Sequence, residues 1–224
     1  MKRTAVIFDL DGTLLDTLAD LKTANNYVMR AMGQPERSLE EVRRFVGNGA
    51  RRLLRLSLPE KTTEEELDRA YALFGAYYDA HCREQTGPYP GILEALQALS
   101  REGYPMAVVS NKPDSAVQIL CRDYFGALFP VSRGETPDCP RKPDPTMVLQ
   151  AAAALGVDPA DCIYVGDSEV DLETARGCAM PCLSVLWGFR DRATLEENGA
   201  RYFCAEPLEL PQTIKHLEEM KNGL

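Results

Sequence analysis

The chain has 224 residues, of which 45% are hydrophobic and 26% are charged, as is typical of a globular protein. Its formal net charge of -9 argues against nucleic acid or an anionic membrane surface as the main partner, since both attract basic proteins. No segment approaches the ~18 consecutive apolar residues of a membrane span. The seven cysteines lack the two-residue spacing of zinc or redox motifs. We therefore expect a cytoplasmic protein that binds neither nucleic acid nor membranes.

Short, continuous apolar runs mark the strands of a predicted parallel sheet that is buried on both faces. Such runs occur at residues 5–8, 106–109, 162–165 and 182–186, and weaker ones at 128–131 and 202–203 indicate edge strands. Helical patterns lie between the runs, at residues 91–101, 114–124, 145–155 and 169–177. Strands that alternate with helices of this length predict an α/β fold whose parallel sheet is flanked by helices.

Residues 16–85 break this alternation and read as an all-helical insertion. Helical periodicity covers residues 17–32, 38–45, 48–56 and 63–84, and no strand pattern interrupts it. Ser38 and Glu41 have the spacing of a capping box at the start of the second of these helices. We therefore predict two domains, an α/β core of residues 1–15 and 86–224 and a helical domain of residues 16–85.

Polar residues follow three of the predicted strands at the point where each strand ends. They are Asp9 and Asp11 after the first strand, Ser110 and Asn111 after the second, and Asp167, Ser168 and Asp171 after the strand at residues 162–165. Any one of them could be a helix cap. Ligands of open α/β sheets bind beyond the carboxyl ends of the strands, so this repetition at three strand ends indicates a common site.

The predicted cluster of carboxylates requires a positive charge, because burying several acids together raises their pKa values and costs stability. Carboxylate oxygens with room for water suit Mg²⁺. Lys142 offers a second positive charge just before a helix, and the prolines beside it favour a fixed backbone path over a mobile loop.

These residues together resemble the haloacid dehalogenase superfamily, in particular its small-molecule phosphatases with a helical cap after the first strand. Residues 9–13, Asp-Leu-Asp-Gly-Thr, match the first motif of the family. Ser110 matches the second motif, Lys142 the third, and residues 166–168 with Asp171 the fourth. The resemblance covers essentially the whole chain and implies a Rossmann-like core, a cap domain and a small phosphorylated metabolite as substrate.

The resemblance implies a role for each acid of the first motif. Asp9 would attack phosphorus and form an aspartyl-phosphate, which divides a difficult hydrolysis into two steps. Asp11 would protonate the leaving group and then deprotonate the attacking water. Asp9, the backbone carbonyl of Asp11, and Asp167 would hold Mg²⁺.

The resemblance also implies roles for the other matched positions. Lys142 and Ser110, with the neighbouring Asn111, would bind the phosphoryl oxygens, where charge stabilisation supplies most of the catalysis. Ser168 and Asp171 would stand behind the metal ligands and orient them or Lys142.

A glycine-rich string in the predicted cap indicates where the substrate is selected. Residues 45–50, Phe-Val-Gly-Asn-Gly-Ala, look most like the phosphoglycolate phosphatase branch of the superfamily. The glycines permit close backbone approach, and the string opens a helix whose free N–H groups favour an anion. We expect Asn48, Gly49 and Arg52 to contact a small acidic monophosphate such as 2-phosphoglycolate. An ordinary loop with a capping asparagine and solvated arginines is the competing interpretation.

Other members of the superfamily remain as alternatives to a phosphatase. Dehalogenases and phosphonatases resemble the chain but lack an acid at the position of Asp11, which argues against both. A phosphosugar mutase keeps this acid and is the nearest alternative, although Thr13 resembles the phosphatases more. A catalytically silent relative that binds a phospho-ligand is a third possibility, which the complete set of matched residues disfavours.

Overall fold

Strands and helices alternate along most of the chain in the computed structural model, which describes residues 3–221 and 223. The strands are β1 (Ala5–Phe8), β2 (Leu15–Asp16), β3 (Gly87–Pro88), β4 (Met106–Pro113), β5 (Val131–Glu135), β6 (Cys162–Gly166), β7 (Cys182–Val185) and β8 (Tyr202–Cys204). The helices are α1 (Leu18–Ala31), α2 (Leu39–Phe45), α3 (Gly49–Ser57), α4 (Glu64–His81), α5 (Ile92–Arg101), α6 (Asp114–Phe125), α7 (Thr146–Ala154), α8 (Glu169–Gly177), α9 (Arg192–Glu197) and α10 (Leu210–Lys221).

The chain divides into two compact units. The first unit holds the chain up to Leu15 and from Pro88 onward, and the second holds residues 16–87. Among the helices of the described residues, none has the length and apolar character that crossing a membrane requires.

The first unit is built on a sheet of six strands in the order β5-β4-β1-β6-β7-β8, in which all neighbours are parallel. The chain runs from β1 outward through β4 to β5, then crosses to the other side of β1 and continues outward from β6. The strand order therefore changes direction between β1 and β6, which is where such sheets bind ligands. The predicted α/β fold with a helix-flanked parallel sheet is confirmed.

The centre of the sheet is apolar because helices cover it. The four residues of β1 are fully buried. Ala5 and Ile7 of β1 share one buried cluster with Val109 of β4, Tyr164 of β6 and the alanine-rich helix α7. Small side chains on α7 let the helix lie close to the strands, and dense packing of this kind fixes the strand ends in space. The polar residues that follow β1 and β6 therefore extend from a rigid support.

Two strand boundaries differ from the predicted ones. β4 continues to Pro113, so Ser110 and Asn111 lie within the strand rather than after it. The edge strand predicted at residues 128–131 is β5, which begins where that run ends. β5 lies at the edge of the sheet and is mostly polar, because an edge strand has fewer neighbours to bury it. The apolar run thus precedes the strand.

The second unit consists of the helices α1 to α4. The predicted capping box is confirmed, because Glu41 N donates to Ser38 Oγ at 3.2 Å and Ser38 N donates to Glu41 Oε2 at 2.8 Å. The buried carboxylate of Asp20, in the first turn of α1, accepts hydrogen bonds from Gln85 N at 3.0 Å and Thr86 N at 2.9 Å. This acid therefore joins the beginning of the unit to its end.

Candidate active site

Three buried carboxylates lie together beyond the carboxyl ends of β1 and β6. Asp9 follows β1, Asp167 follows β6, and Asp171 lies in the first turn of α8. One oxygen atom of each lies within 4.8 Å of the others, and no more than 7% of any of the three residues is exposed. Asp9 and Asp171 are 162 positions apart in the sequence, and the parallel topology of the sheet brings the three acids together.

Lys142 supplies a buried positive charge to this group. Its Nζ lies 2.7 Å from Asp9 Oδ1 and 2.8 Å from Asp171 Oδ1, and it donates a hydrogen bond to the hydroxyl of Tyr164 at 3.0 Å. Burial by itself lowers the pKa of Lys142, but the carboxylates of Asp171 and Asp9 outweigh it and hold that pKa well above its usual value. The ammonium group therefore stays charged beside Asp9.

The side chain of Asn111 holds the backbone of Lys142 in place. Its Nδ2 donates to the Lys142 carbonyl oxygen at 2.9 Å, and its Oδ1 accepts from Lys142 N at 2.8 Å. Asn111 therefore supports the backbone of Lys142. From the sequence we expected only a phosphate-binding role for Asn111.

Asp171 uses both of its oxygen atoms to hold its neighbours. Oδ1 accepts from Lys142 Nζ and from the Tyr164 hydroxyl at 3.2 Å. Oδ2 accepts from Asp167 N at 3.2 Å, from Ser168 N at 3.1 Å and from Ser168 Oγ at 2.7 Å. Because its oxygens are occupied in this way, Asp171 is suited to orienting Lys142 and the β6–α8 turn rather than to binding a metal ion directly.

The electrostatics of the acids fit a hard divalent cation. Burial raises the pKa of Asp9 to about 7, against the lowering effect of Lys142. Burial, followed by the charges of Asp171 and Asp9, likewise holds the pKa of Asp167 well above its usual range. Carboxylates forced toward protonation gain most from a cation, and oxygen donors suit hard metal ions. Since Asp171 is engaged elsewhere, Asp9 and Asp167 are the side chains that could hold the metal.

Asp11 contacts a buried lysine that the sequence analysis missed. Lys112 Nζ lies 3.0 Å from Asp11 Oδ1, and only 3% of the lysine side chain is exposed. Lys112 N also donates to Ser110 Oγ at 3.2 Å, so the predicted phosphate-binding serine and this lysine share one turn of backbone. The signal in the sequence was the lysine directly after the Ser110–Asn111 pair.

The three predicted cap residues belong to the second unit. Asn48 precedes α3, and its side chain makes no capping hydrogen bond there, while Gly49 has φ of +78°. Arg52 is exposed on α3. Arg51 and Arg55 of the same helix both form ion pairs with Glu64 of α4, so the arginines of α3 are not equivalent.

Comparison with known proteins identifies the family. The family described as haloacid dehalogenase-like hydrolase matches residues 6–185. The phosphoglycolate phosphatase 1 of Pseudomonas aeruginosa is 35% identical over 200 residues, which cover 86% of this chain and 73% of that protein. A phosphoglycolate phosphatase of Thiobacillus denitrificans is 34% identical over 194 residues, covering 83% of this chain and 84% of the relative.

Solved structures agree with these relatives. A crystal structure from Lactobacillus delbrueckii subsp. bulgaricus, described provisionally as a phosphoglycolate phosphatase, superposes with a TM-score of 0.89 at 38% identity, covering 96% of this chain and 99% of the other. The resemblance inferred from the four motifs is thereby confirmed, as is the prediction of an enzyme that hydrolyses phosphoric monoesters. The chain belongs to the haloacid dehalogenase-like hydrolases.

Proposed function

We propose that this protein is a Mg²⁺-dependent phosphatase that hydrolyses a small phosphomonoester through an aspartyl-phosphate on Asp9. The observation that carries the proposal is the 2.7 Å contact between Asp9 and the buried ammonium of Lys142. A carboxylate is a useful nucleophile toward phosphorus only if the negative charge of the phosphoryl group is offset beside it. Lys142, held by Asp171 and Asn111, provides this charge in a fixed position.

The proposed reaction has two steps. An oxygen of Asp9 attacks phosphorus, the bond to the leaving oxygen breaks, and Asp11 gives that oxygen a proton. Asp11 then takes a proton from water, whose oxygen attacks phosphorus and releases Asp9 and inorganic phosphate. Lys142 and Ser110 would hold the phosphoryl oxygens throughout. Mg²⁺ bound by Asp9, Asp167 and the backbone carbonyl of Asp11 would supply further positive charge to the phosphoryl group.

The nucleophile can be tested by trapping the covalent intermediate. Rapid quench with ³²P-labelled substrate should leave label on Asp9 of the wild-type protein, and Asp9→Asn should lose nearly all turnover while it remains folded. Asp138→Asn is the matched control, because Asp138 is an exposed carboxylate in the same unit. Label on a different residue, or normal turnover by Asp9→Asn, would refute the mechanism.

The metal requirement can be tested by chelation. Excess chelator should abolish turnover, and Mg²⁺ should restore it. Ca²⁺ should restore it poorly, because its larger and more flexible coordination shell places the nucleophile less accurately. Full activity in the presence of excess chelator would contradict the proposal.

We further propose that the second unit, residues 16–85 in the sequence-based division, is a cap domain that selects 2-phosphoglycolate. The names of several relatives favour this substrate, as does the glycine-rich string around Asn48, Gly49 and Arg52. Arg52 is the candidate for the carboxylate of the substrate, because Arg51 and Arg55 already form ion pairs with acids of α4. A cytoplasmic location accords with seven free thiols.

Kinetic comparison of substrates tests this assignment. The value of kcat/KM should be higher for 2-phosphoglycolate than for neutral phosphosugars, and Asn48→Ala and Arg52→Met should reduce that preference. Arg43→Met, which removes an arginine from α2 of the same unit, serves as the control. A wild-type preference for phosphosugars would refute the substrate but leave the core chemistry intact. Isomerisation of a phosphosugar without net release of phosphate would identify a mutase instead.

A further inference from the structure

The segment that follows β7 contacts the site at three points, although none of its residues belongs to the four matched motifs. We call residues 187–190, Trp-Gly-Phe-Arg, the 187–190 loop. Trp187 Nε1 donates to the carbonyl oxygen of Thr13 at 2.9 Å. Phe189 N donates to Asp167 Oδ2 at 2.6 Å, and Arg190 binds both carboxylate oxygens of Glu169 at 2.7 and 3.1 Å. The loop therefore joins the turns after β1 and β6.

The hydrogen bond from Phe189 N distinguishes the two oxygens of Asp167. Oδ2 accepts this short bond, whereas Oδ1 lies 3.5 Å from the hydroxyl of Thr13, which is too long for a strong hydrogen bond. The backbone of the loop thus holds Oδ2 of Asp167, whereas Oδ1 makes only the weak contact with Thr13. A carboxylate oriented in this way presents a single oxygen to a cation.

Steric contact reinforces this orientation. A Cβ atom on Gly188 would lie 2.3 Å from Asp167 Cβ and 2.5 Å from the carbonyl oxygen of Gly12. A Cβ atom on Gly12 would lie 2.4 Å from Asp167 Oδ2 and 2.9 Å from the ring of Phe189. Such distances are far inside van der Waals contact, so Asp167 is enclosed between two glycines. Any side chain at position 188 has to displace Asp167 or the loop.

We propose that the 187–190 loop is a positioning element of the metal site, which sets the orientation of Asp167 and thereby the affinity for Mg²⁺. Phe189 acts through its backbone N–H, and Gly188 acts by leaving space for the carboxylate. Trp187 and Arg190 anchor the two ends of the loop to Thr13 and Glu169. This inference rests on the proposed function, because it requires that Asp167 bind the metal.

The experiment measures Mg²⁺ binding directly, without substrate or turnover. Isothermal titration calorimetry with MgCl₂ is performed on the metal-free wild-type protein and on Gly188→Ala, Trp187→Phe and Arg190→Met. Circular dichroism and the thermal midpoint report whether each variant is folded. Gly75→Ala, in open space on α4, and Arg192→Met, beyond the loop on α9, are the matched controls.

We expect Gly188→Ala to weaken Mg²⁺ binding about 10- to 100-fold, as for other groups that orient metal ligands. Trp187→Phe and Arg190→Met remove one anchor each and should weaken binding about 3- to 10-fold, the range of a lost hydrogen bond. The two controls should stay within about twofold of the wild type. A merely structural loop would lower the thermal midpoint of the variants without changing Kd.

The possible results separate this inference from the proposed function. Wild-type affinity in a folded Gly188→Ala protein overturns the inference. If Gly188→Ala does not fold, wild-type affinity in both Trp187→Phe and Arg190→Met overturns it equally. If the wild-type protein itself binds no Mg²⁺, the proposed metal dependence fails and the inference fails with it.

Discussion

Replacing Asp171 by asparagine tests whether this acid organises the site. The substitution keeps the shape of the side chain but removes its charge and turns one acceptor into an N–H₂ donor. Asp171 is fully buried and accepts hydrogen bonds from Lys142, Tyr164, Asp167 and Ser168. No orientation of an asparagine satisfies both sets of donors, because one set must face the new amide group.

The loss of stability in Asp171→Asn depends on which donors lose their acceptor. If the amide group takes the place of Oδ1, Lys142 Nζ and the Tyr164 hydroxyl lose their acceptor. If the amide group takes the place of Oδ2, the donors of Asp167 and Ser168 lose theirs. Each buried donor left without a partner costs about 1–3 kcal/mol. Asp9 still pairs with Lys142 and offsets part of this loss. We expect the free energy of unfolding to fall by about 3–5 kcal/mol, as for other broken buried pairs.

Thermal unfolding measures this loss. At about 2–4 °C per kcal/mol for a chain of this size, Tm should fall by roughly 6–20 °C. Turnover at a temperature where the variant is folded should fall about 10- to 100-fold, because Lys142 is less well held. The control is Asp191→Asn: Asp191 caps α9 by accepting from Thr194 N at 2.8 Å, and asparagine caps helices equally well.

Stability and turnover give separate grounds for refutation. A Tm within about 2 °C of the wild type would mean that the buried hydrogen bonds of Asp171 contribute far less than unpaired donors usually cost. A normal turnover number in the folded variant would mean that Lys142 does not depend on Asp171. An equal loss of stability in Asp191→Asn would show that the effect is not specific to the site.

Three further predictions concern the proposed general acid, Asp11, and the pH dependence of stability. Asp11→Asn should slow alkyl phosphates about 10²- to 10⁴-fold but activated aryl phosphates less, since their leaving groups need less protonation; equal losses with phosphorylation rate-limiting would contradict this. Lys112→Met should also slow the hydrolysis of alkyl phosphates more than that of aryl phosphates, with losses about tenfold smaller, because it removes a buried partner of Asp11 and not the acid itself. An equal loss for both substrate classes would argue against this prediction. Burial raises the pKa of Glu218, but hydrogen bonds from Thr4 N and Tyr104 outweigh it and leave that pKa below 4.5. Its contribution to stability is therefore present above pH 4.5 and lost as the pH falls through the folded pKa. The difference in unfolding free energy between the wild type and Glu218→Gln should shrink below that pH, and a constant difference would refute the reasoning.

Local patterns in the sequence were sufficient to predict the sheet and the residues of its central strand ends. β1 and β6 are buried at every position because both faces of the sheet are covered, and their mainly apolar runs are visible without a structure. The capping box of Ser38 was also visible in the sequence, because it joins residues only three positions apart. The edge strand β5 was misplaced because an edge strand need not be apolar.

The sequence by itself determined the type of chemistry, and the tertiary structure decided how the site is held together. Acids after β1 and β6 had to meet, because parallel strands end at the same edge of the sheet. The contacts of Lys112 with Asp11 and of Phe189 N with Asp167 join different strand ends, and the second uses a backbone N–H that any residue possesses. Such contacts depend on the distance between loops in space, which no pattern of neighbouring residues specifies.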